Sequence, residues 1–385
     1  MFRKLLLLLL CMALACPAHA QTAPDAFFDQ MYEQLSPRAL VVLVWQRGEE
    51  KYQYARGFQD AGSTRPADEN TLFKCASVTK MVTAVGLMQL WEQGEFLLDT
   101  PLEAYYGKPL CNPLRKNAPV TLRQVMSHTS SIRESAGYNP RWGDEEQAEN
   151  YFLRASPGKK YQYANLNGGL TGSAVELFSR QSLQSYMHAQ VFAPLSLDAA
   201  YSPVFLNRPE NMADTFRTNG DVYMTAAEYL QEASQYDDTC APHSHYRTAV
   251  GSLWMSAHDM AVLGSVLSMG GTWQGTSILS GDTVRLMCRD QSSVAGSSVT
   301  AKGPYGLMVH ILRDERLPDT WYGHQGAWEG LLCDVYFEDT TDTVAVLIAN
   351  GCAHPRTESE VADLFIRTLQ FVTETWIDGL IVEAP

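Results

Sequence analysis

The stretch FKCASVTK, Phe73 to Lys80, sets one serine and one lysine three residues apart at the head of an apolar run. If a helix starts near Ala76, Ser77 and Lys80 stand on one face with Cβ atoms about 5–6 Å apart. The residues that follow, Met81, Val82, Ala84, Val85, Leu87, Met88, Leu90 and Trp91, are apolar on almost every side of such a helix. It is therefore expected to be buried rather than amphipathic. A lysine in its first turns is partly desolvated, and desolvation lowers the pKa of an ammonium group. A depressed lysine can accept or relay the proton of a serine hydroxyl, and the positive helix N-terminus favours an oxyanion formed beside Ser77. The same spacing recurs at Ser156 and Lys159. There Pro157 and Gly158 make a turn, so only Ser77 has an apolar helix behind it.

Working outward, ALVVLVWQRGEEKYQYARGF, Ala39 to Phe58, reads as a hairpin turning at Arg47-Gly48. Three more strand-like runs come late: YGLMVHIL from Tyr305, LLCDVYF from Leu331 and TVAVLIAN from Thr343. The final periodic segment, ESEVADLFIRTLQFVTETW, is a helix that should cover one face of the sheet. The middle, about Cys75 to Met287, carries the helical period, with Gly94 and Gly270 where helices should stop. The expected fold class is α/β (α+β): an antiparallel sheet built from both chain ends and flanked by helices, plus an all-helical lobe. The expected division is residues 1–20 as a signal peptide, 21–74 with 300–385 as the α/β region, and 75–299 as the mainly helical region.

MFRKLLLLLLCMALACPAHA carries Arg3 and Lys4, an apolar stretch and Ala18-His19-Ala20, the pattern of a cleaved secretory signal. A periplasmic or secreted protein is expected. A lipid anchor at Cys16 is the weaker reading, because Leu14 places a bulky side chain poorly for that processing. Cleavage after Ala20 removes two of the 29 cations and leaves 27 against 43 acids, a net charge of −16. That balance disfavours nucleic-acid and anionic-membrane partners. No later segment is long and apolar enough to span a bilayer. A small-molecule or peptide substrate is expected, acted on by a monomer. Cys75, Cys111, Cys240, Cys288, Cys333 and Cys352 remain, and either disulfides or buried free thiols fit a chain of this size. None has a recognisable metal spacing; the nearest, Cys240-Ala241-Pro242-His243-Ser244-His245, lies in a polar loop, so no metal is expected.

Taken with its surroundings, TLFKCASVTK resembles the nucleophile segment of the serine β-lactamase and penicillin-binding protein superfamily, above all its class C β-lactamase and D,D-carboxypeptidase branch. VTLRQVMSHTSSI, Val120 to Ile132, resembles the family's ITLRHLLTHTSGL, and PGKKYQYANLNGGLTG resembles its Pro-Gly and Tyr-Ser-Asn segment. VGSLWMSAHDMAVLGSVLSMGG resembles its GGL segment, and GHQGAWEG falls where the family has its Lys-Thr-Gly or His-Thr-Gly strand. The matches keep their order from about Ala39 to Asn350.

The resemblance implies Ser77 as acylated nucleophile, Lys80 as its proton partner and Tyr163 as phenolate or relay. It implies that Asn165 orients Lys80 and the substrate amide, and that His324, Gln325 and Gly326 form the third element. The N–H groups of Ala327 and Ser77 would form the oxyanion hole. Gln325 departs from the family's threonine or serine, whose hydroxyl helps hold a substrate carboxylate. His128 lies in a segment that is structural in the family and is left off the site. The expected activity is that of a serine hydrolase with no cofactor, working through an acyl-enzyme on an amide or ester, as D,D-peptidase, D-aminopeptidase or esterase. The substrate would be cell-wall derived in the peptidase case. The alternatives are a class C-like β-lactamase and, from a different class, a penicillin-binding or sensory module without turnover.

Overall fold

A computed structural model describes residues 23–115, 118–138, 148–242, 244–293, 304–352 and 358–378. The segment read as a signal, with Cys16, lies outside the described residues, as does His243. In chain order the elements that matter for the site are α1 (Ala23–Leu35), β1 (Ala39–Gln46), β2 (Glu49–Gly57), β3 (Leu72–Lys74), α2 (Val78–Glu92), α3 (Leu122–Met126) and α4 (Asn165–Ser179). Then follow β4 (Trp254–Ser256), α5 (Ala257–Ser268), β5 (His310–Leu312), β6 (Trp321–Trp328), β7 (Leu331–Glu338), β8 (Thr343–Asn350) and α6 (Glu358–Val372).

The main sheet runs β5-β6-β7-β8-β1-β2 with every neighbouring pair antiparallel. The two chain ends meet at its centre, where β1 pairs β8 from Ala39 opposite Asn350 to Gln46 opposite Thr343. Side chains alternate between faces along a strand, and here both faces are covered, which is why β1 reads as a continuous apolar run. Val41 and Leu43 pack toward Val335, Val346, Ile348 and the α5 residues Met260 and Leu263. Leu40 and Val42 face the other way, against Phe28 and Met31 of α1 and Leu364 and Phe365 of α6. Each such side chain contributes about 1.5–3 kcal/mol by leaving water. The β1–β2 turn is Arg47-Gly48, with φ of +54° and +74°. Both central residues are left-handed, the turn geometry that matches strand twist in a two-residue hairpin.

Two expectations are corrected. The apolar run from Tyr305 forms a strand only over His310–Leu312, because Met308 is left-handed and Gly306 N–H closes a tight turn on Val309 O at 2.8 Å. The disulfide reading of the cysteines gives way to the free-thiol one: among the described residues Cys75, Cys240, Cys288, Cys333 and Cys352 are free thiols, and Cys75, Cys333 and Cys352 are buried. Strand β4 lies within the segment expected to be mainly helical and pairs antiparallel with β3, which precedes that segment. Among the described residues no helix is long and apolar enough to cross a membrane.

Candidate active site

Residues 75–77 turn the chain out of β3 and into α2. Ala76 makes the reversal with φ +42°, a left-handed conformation that costs a non-glycine residue about 1–3 kcal/mol. The first-turn N–H groups of Val78, Thr79 and Lys80 donate to the carbonyls of Cys75, Ala76 and Ser77 at 3.0, 3.1 and 3.0 Å. Ser77 sits at the N-cap, where a serine ordinarily spends its hydroxyl on such groups. Here it makes no side-chain cap. Backbone carbonyls do that work, so Oγ is left to Lys80 Nζ at 2.9 Å and Tyr163 OH at 3.0 Å.

Lys80 is completely buried although α2 carries it near its start. Its ammonium stem crosses α4 at Gly168, where a Cβ would stand 2.8 Å from Lys80 Cγ and Cε. Nζ also donates to the Val250 carbonyl at 2.8 Å. Burial pushes the amine down to about 7, while the Glu134 carboxylate pulls the other way. Near neutral pH a large share of Lys80 is therefore the free amine. That form can donate to Val250 O and still offer its lone pair to the Ser77 hydroxyl.

Tyr163 stands just before α4 and lays its ring against His128, with centroids 4.4 Å apart and planes 26° from parallel. The Lys80 ammonium lies 5.3 Å from the centre of the same ring. His128 follows α3 in a left-handed conformation and is fully buried. Its Nδ1 accepts from Ala164 N–H at 3.2 Å and from Asn167 Nδ2 at 3.0 Å, so the proton is on Nε2. The imidazole thus fixes both the ring face and the backbone beside Tyr163. Burial, then the nearby Lys80, hold it well below the usual histidine range.

Asn165 is the first residue of α4 and donates twice to Glu134, from its backbone N–H at 2.6 Å and from Nδ2 at 2.7 Å. The bond to Lys80 expected of it is not made; the exposed carboxylate takes both donors because a helix N-terminus attracts negative charge.

On the sheet side, β6 brings His324 to Ala327 past residues 75 and 76. A Cβ on Gly326 would stand 2.4 Å from Cys75 O, so only glycine lets the strand lie this close to the turn before Ser77. Strand β5 pairs β6 only as far as Gly323, which leaves the later β6 residues without β5 beside them. His324 is buried, and Nδ1 donates to Gln325 O at 2.6 Å while Nε2 accepts from Tyr305 OH at 2.8 Å. Burial and the stacked His310 ring, 4.7 Å away, hold it well below its usual range. His324 therefore takes part through hydrogen bonding, with Tyr305 as the partner of Nε2. Gln325 pairs in register with Asp334 of β7, and its Oε1 is buried without a hydrogen-bond partner.

Sequence reasoning brought together Ser77, Lys80, Tyr163 and the β6 segment. It missed the Val250 carbonyl, Gly168, Glu134 and Tyr305, and it left out His128. Gly168-Gly169 inside an apolar helix was a usable signal of close approach. A backbone carbonyl carries none. Ser156 and Lys159 lie on a turn with Gly158 at φ +78°, away from any helix. Among the described residues no group of three histidine, cysteine, aspartate or glutamate side chains is placed to hold a metal.

The chain is similar to esterase EstB of Burkholderia gladioli, 32% identical over 193 residues, which are 45% of this chain and 49% of that one. It is similar to D-alanyl-D-alanine-carboxypeptidase/endopeptidase AmpH of Escherichia coli strain K12, 27% identical over 203 residues, 49% of this chain and 51% of that one. The chain thus spans about half the length of these relatives. In fold it resembles the octameric penicillin-binding protein homologue from Pyrococcus abyssi, with a TM-score of 0.69 at 19% identity over 89% of this chain and 76% of that one. A family model described as Beta-lactamase matches residues 25–364, and with that span the chain belongs to the Beta-lactamase family.

Proposed function

We propose that the protein is an exported serine hydrolase that acts through a Ser77 acyl-enzyme on an ester or amide. One observation carries the reading: Ser77 Oγ lies between a buried lysine amine at 2.9 Å and a tyrosine hydroxyl at 3.0 Å, unspent as a helix cap. Neutral Lys80 takes the hydroxyl proton, directly or through Tyr163, as Oγ attacks the acyl carbon. The oxyanion turns toward the N–H groups of Ser77 and Ala327, donors of a kind typically worth about 10²–10³ in rate. Collapse breaks the bond to the leaving group, which departs with the proton held by Lys80. Water then attacks the acyl-enzyme, gives its proton to the same pair and returns Ser77 to its resting state.

The likeness to EstB supports an ester substrate and the likeness to AmpH a D-alanyl peptide. The N-terminal apolar stretch supports a periplasmic or secreted location. The cleft would lie between the sheet region and the helical region, with Gln325 at its sheet wall. Ser77→Ala should abolish both hydrolysis of an activated ester and covalent labelling by a serine-directed acylating probe. Labelling that survives the substitution would place the nucleophile elsewhere and overturn the reading.

A further inference from the structure

Behind Tyr163 lie three polar side chains, Ser130, His128 and Asn167, all completely buried. Their hydrogen bonds run in one direction because a backbone N–H stands at each end. Ile132 N–H donates to Ser130 Oγ at 3.3 Å, and Ser130 gives its own proton to Asn167 Oδ1 at 2.8 Å. That turns the amide so that Nδ2 faces His128 Nδ1 at 3.0 Å, where Ala164 N–H also donates at 3.2 Å. A backbone N–H can only donate, so neither end of the chain can be reversed. Among the described residues His128 Nε2 meets no hydrogen-bond partner, so Nδ1 alone ties the ring down by hydrogen bonds. His128 in turn brackets Tyr163. Its carbonyl accepts from Gln162 N–H at 2.8 Å, its Nδ1 accepts from Ala164 N–H, and its ring lies against the phenol with centroids 4.4 Å apart.

Resting on the reading of Tyr163 as a proton relay for Ser77, we propose that Asn167 is a positioning residue for acylation. It acts through His128, which holds the Tyr163 hydroxyl 3.0 Å from Ser77 Oγ. Without the amide, the ring keeps one of its two hydrogen bonds and Ser130 loses the acceptor of its proton. A ring tied at one bond can swing about it, and the phenol stacked on it moves as well. A displacement near 1 Å at a reacting group costs on the order of 10²-fold. Asn167 and His128 are both closed to ligands, so the loss falls on the chemical step rather than on ester binding. Asn167 also neighbours Gly168, against which the Lys80 stem packs, so an effect carried by His128 has to be separated from a direct one on Lys80.

The test follows the burst of p-nitrophenol released as p-nitrophenyl acetate acylates the full-length protein, which gives the acylation rate constant and the dissociation constant of the ester separately. Asn167→Leu, close to the amide in volume, should slow acylation by about 10- to 100-fold and leave the dissociation constant within about twofold. His128→Phe keeps a ring for Tyr163 but offers no acceptor. In that background Asn167→Leu should cost less than about twofold, because members of one network are not additive. His128→Asn can set its Oδ1 where Nδ1 stood, and asparagine tolerates the left-handed backbone of this position, so it should acylate faster than His128→Phe. If His128→Phe does not fold, nitrogen NMR of the labelled imidazole in Asn167→Leu supplies the link, since the His128 Nδ1 resonance must move when one of its donors is lost. A native acylation rate in Asn167→Leu, an equal loss in both backgrounds, a faster His128→Phe than His128→Asn, or an unmoved Nδ1 resonance would overturn the proposal while leaving the acyl-enzyme intact. A burst that survives Ser77→Ala, or a native rate in Tyr163→Phe, would instead remove the reading on which the inference rests.

Discussion

An alanine at Gly168 would add one methyl group to α4 where the helix crosses the stem of Lys80. The new Cβ would stand 2.8 Å from Lys80 Cγ and Cε and 3.0 Å from Cδ. An ordinary carbon–carbon contact begins near about 3.5 Å, so the stem or the helix must yield by roughly 0.7 Å. Lys80 is fully buried and tied at Nζ to Ser77 Oγ and Val250 O, so yielding stretches bonds of 2.9 and 2.8 Å. A misplacement near 1 Å at a reacting group costs on the order of 10²-fold. The stability change is expected to be small. Overpacking costs about 1–3 kcal/mol, and replacing glycine in a helix interior returns about 0.5–1 kcal/mol. Gly168→Ala should therefore lower kcat/KM for an activated ester by roughly 100-fold, with a loss of at most about 2.5 kcal/mol in chemical denaturation. If the variant kept native kcat/KM across the pH range, Lys80 would not be held by this packing and the geometric argument for its role would fail.

Other substitutions probe the same arrangement. The folded state holds Lys80 near 7 against an ordinary 10.5, so between those values the unfolded chain binds a proton that the folded chain does not. Stability should rise with pH across that window through this group, and the slope should stop below it. Lys80→Met should be inactive yet more stable than the native protein at pH 7, with the difference closing toward pH 10; a pH-independent difference in denaturation midpoint would contradict the buried neutral amine. Tyr305→Phe removes the donor to His324 Nε2 and leaves that buried nitrogen unpaired, which should cost about 1–3 kcal/mol. Unchanged stability would mean that the bond contributes little. Gly326→Ala drives a Cβ against the backbone oxygen of Cys75, so β6 must move off the nucleophile turn. Acylation of Ser77, followed by intact mass, should slow by 10²-fold or more; a native rate would show that β6 need not lie this close.

Read alone, the sequence was enough for those features that depend on local periodicity. Ser77 and Lys80 share a face because they are three residues apart at the start of a helix, and the apolar stretch of α2 announces its own burial. β1, β7 and β8 read as strands because alternate residues face two covered sides. The run from Tyr305 read the same way but is a strand only over His310–Leu312, because Met308 turns left-handed and the chain folds back toward His324. Resemblance placed Tyr163 and the β6 segment near Ser77, but not what each of them touches.

Tertiary structure decided the chemistry. Burial holds Lys80 down to about 7, and the packing around its side chain includes Gly168 and Val250, 88 and 170 residues away. Burial and the stacked His310 hold His324 well below the usual histidine range, although the Gln325 carbonyl pulls the other way. Asn165 serves Glu134 rather than Lys80. None of these follows from residue type or spacing, since a pKa depends on the whole surroundings of a group, and those surroundings come from chain segments remote in sequence.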